Sequence, residues 1–337
     1  MENFLRDPAP EEASKLVLSA YAEKTLCVKI PYDPDSVIFS ALLTKYFNGE
    51  VAVTFSSDCQ LTLNKGDIGN SVAYRGVEVF VGSSAFSSLL PLTVEDLVPI
   101  LAGIFSDVLL RRRKLSDWEQ RILNNAENLG VIREKGLKIP AYREVPLFLS
   151  LFYSLDPFVP DISGNPVNAL KLVKELNGNE FTKLSDLDES KLNTLLFRLV
   201  SSLVKVNPKA TREDVIDDRY FYNNYDSLEL GMSVLYVMDT QGSPILFDAV
   251  MNTSLFWTFV EWLRGLLSRG FNVQVSEEGN RYVVDSNLSP ILAYIVLRQA
   301  GKAKDRRPVY LRRGEKFVSS RFFLNSPEEG LIYDDKD

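Results

Sequence analysis

Two aspartates stand one residue apart at Asp33-Pro34-Asp35, after the apolar run Thr25 to Ile30 and before VIFSALLTKYF. Residues two apart at a strand end project to the same side, so both carboxylates can face one site. Such oxygens suit Mg²⁺ or Mn²⁺, and the C-terminal ends of parallel strands are where α/β folds bind ligands. The same DPDS string is also ordinary turn and helix-cap chemistry. The count of histidines is zero. That removes Ser-His-Asp and Cys-His nucleophiles, HExxH metalloproteases and imidazole-ligated metals. Chemistry run by carboxylates, Lys, Tyr or Arg survives, or none at all. The two cysteines, Cys27 and Cys59, cannot build a disulfide framework or a four-thiolate zinc site. A reducing, cytoplasmic setting is the expectation.

A second concentration of charge lies near the end of the sequence. Arg298 to Arg321 has a net charge of +7, and the rest of the chain −14, within an overall −7. Arg306, Arg307, Arg312, Arg313, Lys316 and Arg321 are therefore candidates for a surface that contacts a polyanion such as single-stranded DNA. The competing reading is a solvated basic face for an acidic protein partner. Arg111-Arg-Arg-Lys114 reads as cations complementing a helix C-terminus. Arg219-Tyr-Phe-Tyr-Asn-Asn-Tyr225 could stack bases, but reads first as a linker pinned by its aromatics. Phe256, Trp257, Phe259 and Trp262 share one helix and read mainly as core.

The elements that must position these residues follow from length and periodicity. The chain's 337 residues, 45% hydrophobic and 25% charged, suit a globular protein of about two domains. A short helix over 10–23 precedes a strand over 25–30. VIFSALLTKYF has apolar residues at helical spacing, with Asp35 or Ser36 as N-cap. Strands follow at 51–55 and 77–81, and this rhythm predicts an α/β fold with a parallel sheet and short crossovers. Residues 94–206 read as mostly helical. Residues 207–227 read as a connector, since the segment opens on Asn207-Pro208 and turns acidic. A smaller α+β lobe over 228–337 follows, with strands at 232–238 and 244–248, a helix from Ser254, a hairpin over 272–284, a helix from Ser289 and a last strand pair at 309–312 and 316–321. Its N-terminus lacks a basic-then-apolar leader, and no apolar run is long enough to span a membrane.

TLCVKIPYDPDSVIFSALLTKYF resembles the first motif of the DHH phosphoesterase superfamily, the RecJ-type nucleases and their relatives. That motif is a strand, His-x-Asp-x-Asp-Gly and a helix. Its aspartates fall on Asp33 and Asp35, its histidine on Pro31 and its glycine on Ser36. A later motif would place acid or imidazole ligands near Gly82-Ser83-Ser84, where none stands. The ending Lys316-Phe-Val-Ser-Ser-Arg321 is similar to the last strand of the DHH-associated domain, and the resemblance adds Ser320 to Arg321 as a phosphate-facing candidate. It implies a degenerate DHH-like domain over 1–206, a connector over 207–227 and a DHH-associated-like domain over 228–337.

A two-metal phosphodiester hydrolase clamps both attacking and leaving oxygens with several carboxylate and imidazole ligands. With Asp33 and Asp35 as a remnant and no histidine, that cluster is not assembled. The resemblance then points to the inactive archaeal RecJ-like replication proteins, relatives of the cell-division-cycle subunit of the eukaryotic CMG helicase. It implies a non-catalytic, cofactor-free component that binds the GINS complex, supports the MCM helicase and touches single-stranded DNA. The rivals are a residual Mn²⁺- or Mg²⁺-dependent single-strand phosphodiesterase using Asp33, Asp35 and further acids such as Asp58 or Asp107, and a stand-alone single-strand binder.

Overall fold

The computed structural model describes residues 7–279, 281–303, 307–323 and 332–334. Two compact units form. One holds the residues up to Val131 together with Ser243–Thr258; the other holds Ile132–Gly242 and the described residues from Phe259 onward. The sequence reading sets its boundary at 206, whereas the compact units part at Val131.

In the first unit, α1 (Pro10–Ala20) leads into β1 (Thr25–Lys29), whose Leu26 and Val28 are buried in alternation. α2 (Pro34–Tyr46) follows, then β2 (Glu50–Thr54), β3 (Leu61–Lys65), β4 (Asn70–Tyr74) and β5 (Val77–Gly82). Their sheet runs in the order β2-β1-β3-β4-β5. β1 is parallel to β2 and β3, while β3, β4 and β5 form an antiparallel meander. The expected α/β class with parallel strands is present. β3 and β4, which the sequence reading passed over, make the sheet mixed. Cys27 in β1 and Cys59 just before β3 have Cα atoms 5.0 Å apart and are joined as a disulfide, where a reduced pair was expected. The adjacent parallel strands bring together two cysteines that are 32 residues apart in sequence.

α2 is buried on nearly every side from Pro34 to Leu43, as befits a helix central to its layer. α3 (Leu97–Arg111) is similarly apolar and packs beside it. α4 (Asp117–Glu127) starts with a capping box between Ser116 and Glu119. A 3-10 turn over Phe86–Leu89 links β5 to this helical layer.

The second unit opens with β6 (Ile132–Leu137), then α5 (Leu147–Phe152), α6 (Pro166–Glu175) and α7 (Glu189–Val204). β7 (Ile216–Tyr222) and β8 (Tyr225–Asp226) join β6 in an antiparallel sheet. The expected connector therefore contains β7 and β8, and its Tyr220 and Phe221 are buried, as a segment pinned by its aromatics would have them and not as stacking on bases would need them. α8 (Ser227–Gln241) and, in the first unit, α9 (Pro244–Met251) are helices where strands were expected at 232–238 and 244–248. α8 is buried almost all round from Ser227 to Asp239. Such a run has no polar face, and periodicity cannot separate it from a buried strand. α10 (Leu255–Leu267) leads to β9 (Gln274–Glu278) and β10 (Arg281–Asp285), which form the predicted antiparallel hairpin. α11 (Pro290–Gln299) crosses over to β11 (Val309–Arg313), parallel to β10, followed by β12 (Lys316–Ser319) and β13 (Ile332–Asp334). No described helix is long and apolar enough to cross a membrane.

Candidate functional site

Asp33 is the N-cap of α2. It accepts hydrogen bonds from the Ser36 N–H at 3.0 Å and the Ser36 hydroxyl at 2.8 Å. Pro34 takes the first helical position because it lacks an N–H to satisfy, so the cap falls on Asp33 and not on Asp35 or Ser36. Asp35, in the first turn, accepts from the Phe86 N–H at 2.8 Å and the Ser87 N–H at 2.9 Å. Asp107 arrives from α3. Oxygens of the three carboxylates lie within 4.8 Å of one another. Capping and helix packing, not strand alternation, bring them together.

Lys65, the last residue of β3, reaches into the middle. Its Nζ lies 2.7 Å from Asp33, 3.0 Å from Asp35 and 2.6 Å from Asp107. The Lys65 side chain is 11% exposed, and those of Asp35 and Asp107 are fully buried. Arg113 extends the network: Nε donates to Asp107 at 2.6 Å, and Nη1 and Nη2 donate to Glu119 at 2.7 Å each. Glu119 also accepts from the Ala85 N–H and the Ser116 N–H, both at 2.8 Å. Arg113 is therefore part of a buried ion network, not a cation placed to complement a helix end. Arg111 donates to Asn70 and to the Gly66 carbonyl.

The electrostatics follow from burial and neighbours. Burial pushes the Asp33 carboxyl above its ordinary range, against the pull of Lys65 and with further push from Asp35 and Asp107. Burial alone would lower the Lys65 ammonium, but Asp107, then Asp33, then Asp35 outweigh it and hold the proton more tightly than usual. Asp107 moves down despite burial, because Lys65 and Arg113 stabilise its charge. Lys65 and Asp107 thus stabilise each other's charged forms, whereas at Asp33 burial and the neighbouring carboxylates outweigh the lysine.

The metal implied by the phosphoesterase resemblance does not fit these residues. A hard cation such as Mg²⁺ needs oxygens at about 2.0–2.1 Å and several ligands. Here an ammonium sits at hydrogen-bond distance from all three aspartates. Gly82 ends β5 at positive φ, and Ser84 is tied to Ser116 Oγ at 2.9 Å and to Asn70 through its carbonyl at 2.8 Å. Asp58 is exposed and paired with Lys29 at 3.3 Å.

Lys65, Arg113 and Glu119 were not singled out from sequence as site residues. The signal was Leu61-Thr-Leu-Asn-Lys65, a short alternating strand whose final lysine ends beside the Asp33 turn. Close packing supports the cluster. A Cβ on Gly103 of α3 would lie 2.5 Å from Ser87 Oγ, 2.9 Å from Ser87 Cβ and 3.3 Å from Asp35 Oδ1. Gly103→Ala is expected to lower the urea midpoint, at a cost of about 1–3 kcal/mol. Ser87 Oγ is buried without a hydrogen-bond partner, so Ser87→Ala should be neutral or slightly stabilising in the same titration.

The basic candidates lie in the second unit. Arg307 donates to Glu277 at 3.0 Å and to the Tyr282 hydroxyl at 2.8 Å. Arg312 donates to Glu278 at 2.9 Å. Arg313 donates to the carbonyls of Ser286 and Leu288, and Lys316 is exposed opposite it on β12. Arg306 lies outside the described residues. Ser320 is fully buried and donates to Asp239 at 2.7 Å, and Arg321 donates its N–H to the same carboxylate at 3.0 Å. The Ile291 N–H completes the set at 2.9 Å.

Burial pushes Asp239 up to about 6, against the bonds from Ile291, Ser320 and Arg321. A carboxyl raised by folding binds protons more tightly in the folded chain. Its contribution to stability is therefore greatest at low pH and falls as pH rises from about 4 to about 6. The loss is expected to reach about 3 kcal/mol at most. Urea midpoints across that range should flatten in Asp239→Asn relative to the unaltered chain.

The chain matches the family model for archaeal Cdc45 over residues 1–337. No curated protein matches it.

Proposed function

The chain belongs to the archaeal Cdc45 family, and from that premise we propose that it is a non-catalytic DNA-replication component that binds the GINS complex and through it supports the MCM helicase. The observation that carries the non-catalytic part is the Lys65 ammonium lodged among Asp33, Asp35 and Asp107. A phosphodiester hydrolase of this fold needs metal at such carboxylates to generate and orient the attacking oxygen. Here a lysine ammonium occupies the centre of the three carboxylates instead. The acidic balance outside the basic segment favours a protein-binding scaffold over a general coat for DNA. Contact with single-stranded DNA is part of the proposal, through Arg307, Arg312, Arg313 and Lys316 together with Arg306.

The second reading, a residual Mn²⁺- or Mg²⁺-dependent single-strand phosphodiesterase in which Asp107 joins Asp33 and Asp35, draws on the convergence of the three carboxylates. Lys65 weighs against it. The test is purification of the tagged chain from its own cells in the presence of added nuclease, with co-purifying proteins identified by mass. GINS and MCM subunits in near-equal amounts are the expected result. Recovery of the chain alone would overturn the helicase-component reading.

A further inference from the structure

We propose that Lys65 is a built-in counter-ion that has taken the cation position of the carboxylate cluster, so that the unaltered chain admits no divalent metal there and folds without one. The proposal rests on reading Asp33 and Asp35 as the remnant of a phosphoesterase centre. It goes further by assigning the vanished metal's electrostatic task to one side chain.

The geometry points to this in three ways. First, Nζ is within 3.0 Å of all three carboxylates, so each of its N–H groups has an acceptor and its positive charge is shared among them. Second, β3 delivers the lysine from the centre of the sheet, beside β1. The ammonium is thus covalently held at its site, and an ion from solution would have to displace it. Third, the remaining demands of the aspartates are met by the chain itself. Asp33 takes Ser36, Asp35 takes the N–H groups of Phe86 and Ser87, and Asp107 takes Arg113. A divalent ion entering beside Lys65 would meet a fixed positive charge in a poorly solvated pocket, where repulsion between like charges is large.

The converse follows from the same charges. Without the ammonium, three buried carboxylates with oxygens within 4.8 Å of one another repel. An all-oxygen set of that kind then suits Mn²⁺ or Mg²⁺. Lys65→Ala should therefore turn an ion-paired core into a site whose folding depends on metal.

The experiment uses the full chain and manganese alone. Manganese is titrated into the unaltered chain, Lys65→Ala and Lys65→Ser, with bound ion read by electron paramagnetic resonance and thermal midpoints recorded in manganese and in chelator. The expected result has two parts. The unaltered chain binds no manganese at this cluster, and its midpoint is indifferent to chelator. The Lys65 variants melt lower in chelator and recover several degrees with manganese, and the recovery disappears when Asp107→Asn is added. Manganese binding by the unaltered chain that is lost in Asp107→Asn would overturn the proposal. So would failure of both Lys65 variants to bind manganese or recover in it. Partners and DNA play no part in this titration, so its failure leaves the GINS reading standing, and loss of GINS recovery leaves the assignment of Lys65 standing.

Discussion

Arg113→Met is expected to destabilise the first unit by about 3–5 kcal/mol, the cost of removing one partner from a buried ion network. The guanidinium spans Asp107 and Glu119, both with fully buried side chains. Its removal strands Glu119, whose other acceptor sites are engaged by Ala85 and Ser116, and leaves Asp107 on Lys65 alone. Arg113→Lys recovers only part of the loss, because an ammonium cannot reproduce the fork that bonds both carboxylates at once. Amide hydrogen exchange along α3 and α4 would report the change, with protection falling in the methionine variant. Unchanged protection would mean that the network is not a stabilising one.

Arg219→Met is expected to have an effect of similar size in the second unit. Arg219 is almost fully buried, and its Nη2 donates to both oxygens of Asp226 at 2.7 and 2.6 Å. Its Nη1 donates to the carbonyls of Leu137 and Ile139. Asp226 in turn caps α8 through the Leu228 N–H at 2.9 Å and accepts from the Ala141 N–H at 2.7 Å. One side chain thus ties β6, β7 and the start of α8 together. Methionine leaves a buried carboxylate uncompensated and carbonyls without a donor, again about 3–5 kcal/mol. A urea titration should show the shift. Asp226→Asn, which keeps an acceptor for the cap, should lose less.

What could be read from the sequence followed from local chemistry. The strand-turn-helix around Asp33 and Asp35 announces itself in one continuous stretch, and the two carboxylates do share a site. Asp107 could be named as an acid but not placed, because α3 and α2 meet only through tertiary packing. Lys65 was beyond reach for the same reason: a five-residue strand in a polar stretch gives little periodic signal, and its role appears only when β3 settles beside β1. α8 reads as a strand in sequence because a segment buried on nearly all sides has no polar face to reveal its period.

The basic segment illustrates a different limit. A window from 298 to 321 counts +7, but the hairpin of β9 and β10 sets Glu277 and Glu278 against Arg307 and Arg312, and neither acid lies in that window. The Ser320 hydroxyl, expected to face phosphate, is instead buried on Asp239 of α8, which also takes the Arg321 backbone N–H. Sequence windows count charges; the fold decides which of them are already answered.

The most direct measurement is hydrolysis of labelled single-stranded DNA by the purified chain in manganese, with Asp35→Asn run beside it. No turnover above the Asp35→Asn background is expected, because Lys65 holds the carboxylates that a metal would need. Turnover by the unaltered chain that disappears in Asp35→Asn would contradict that expectation.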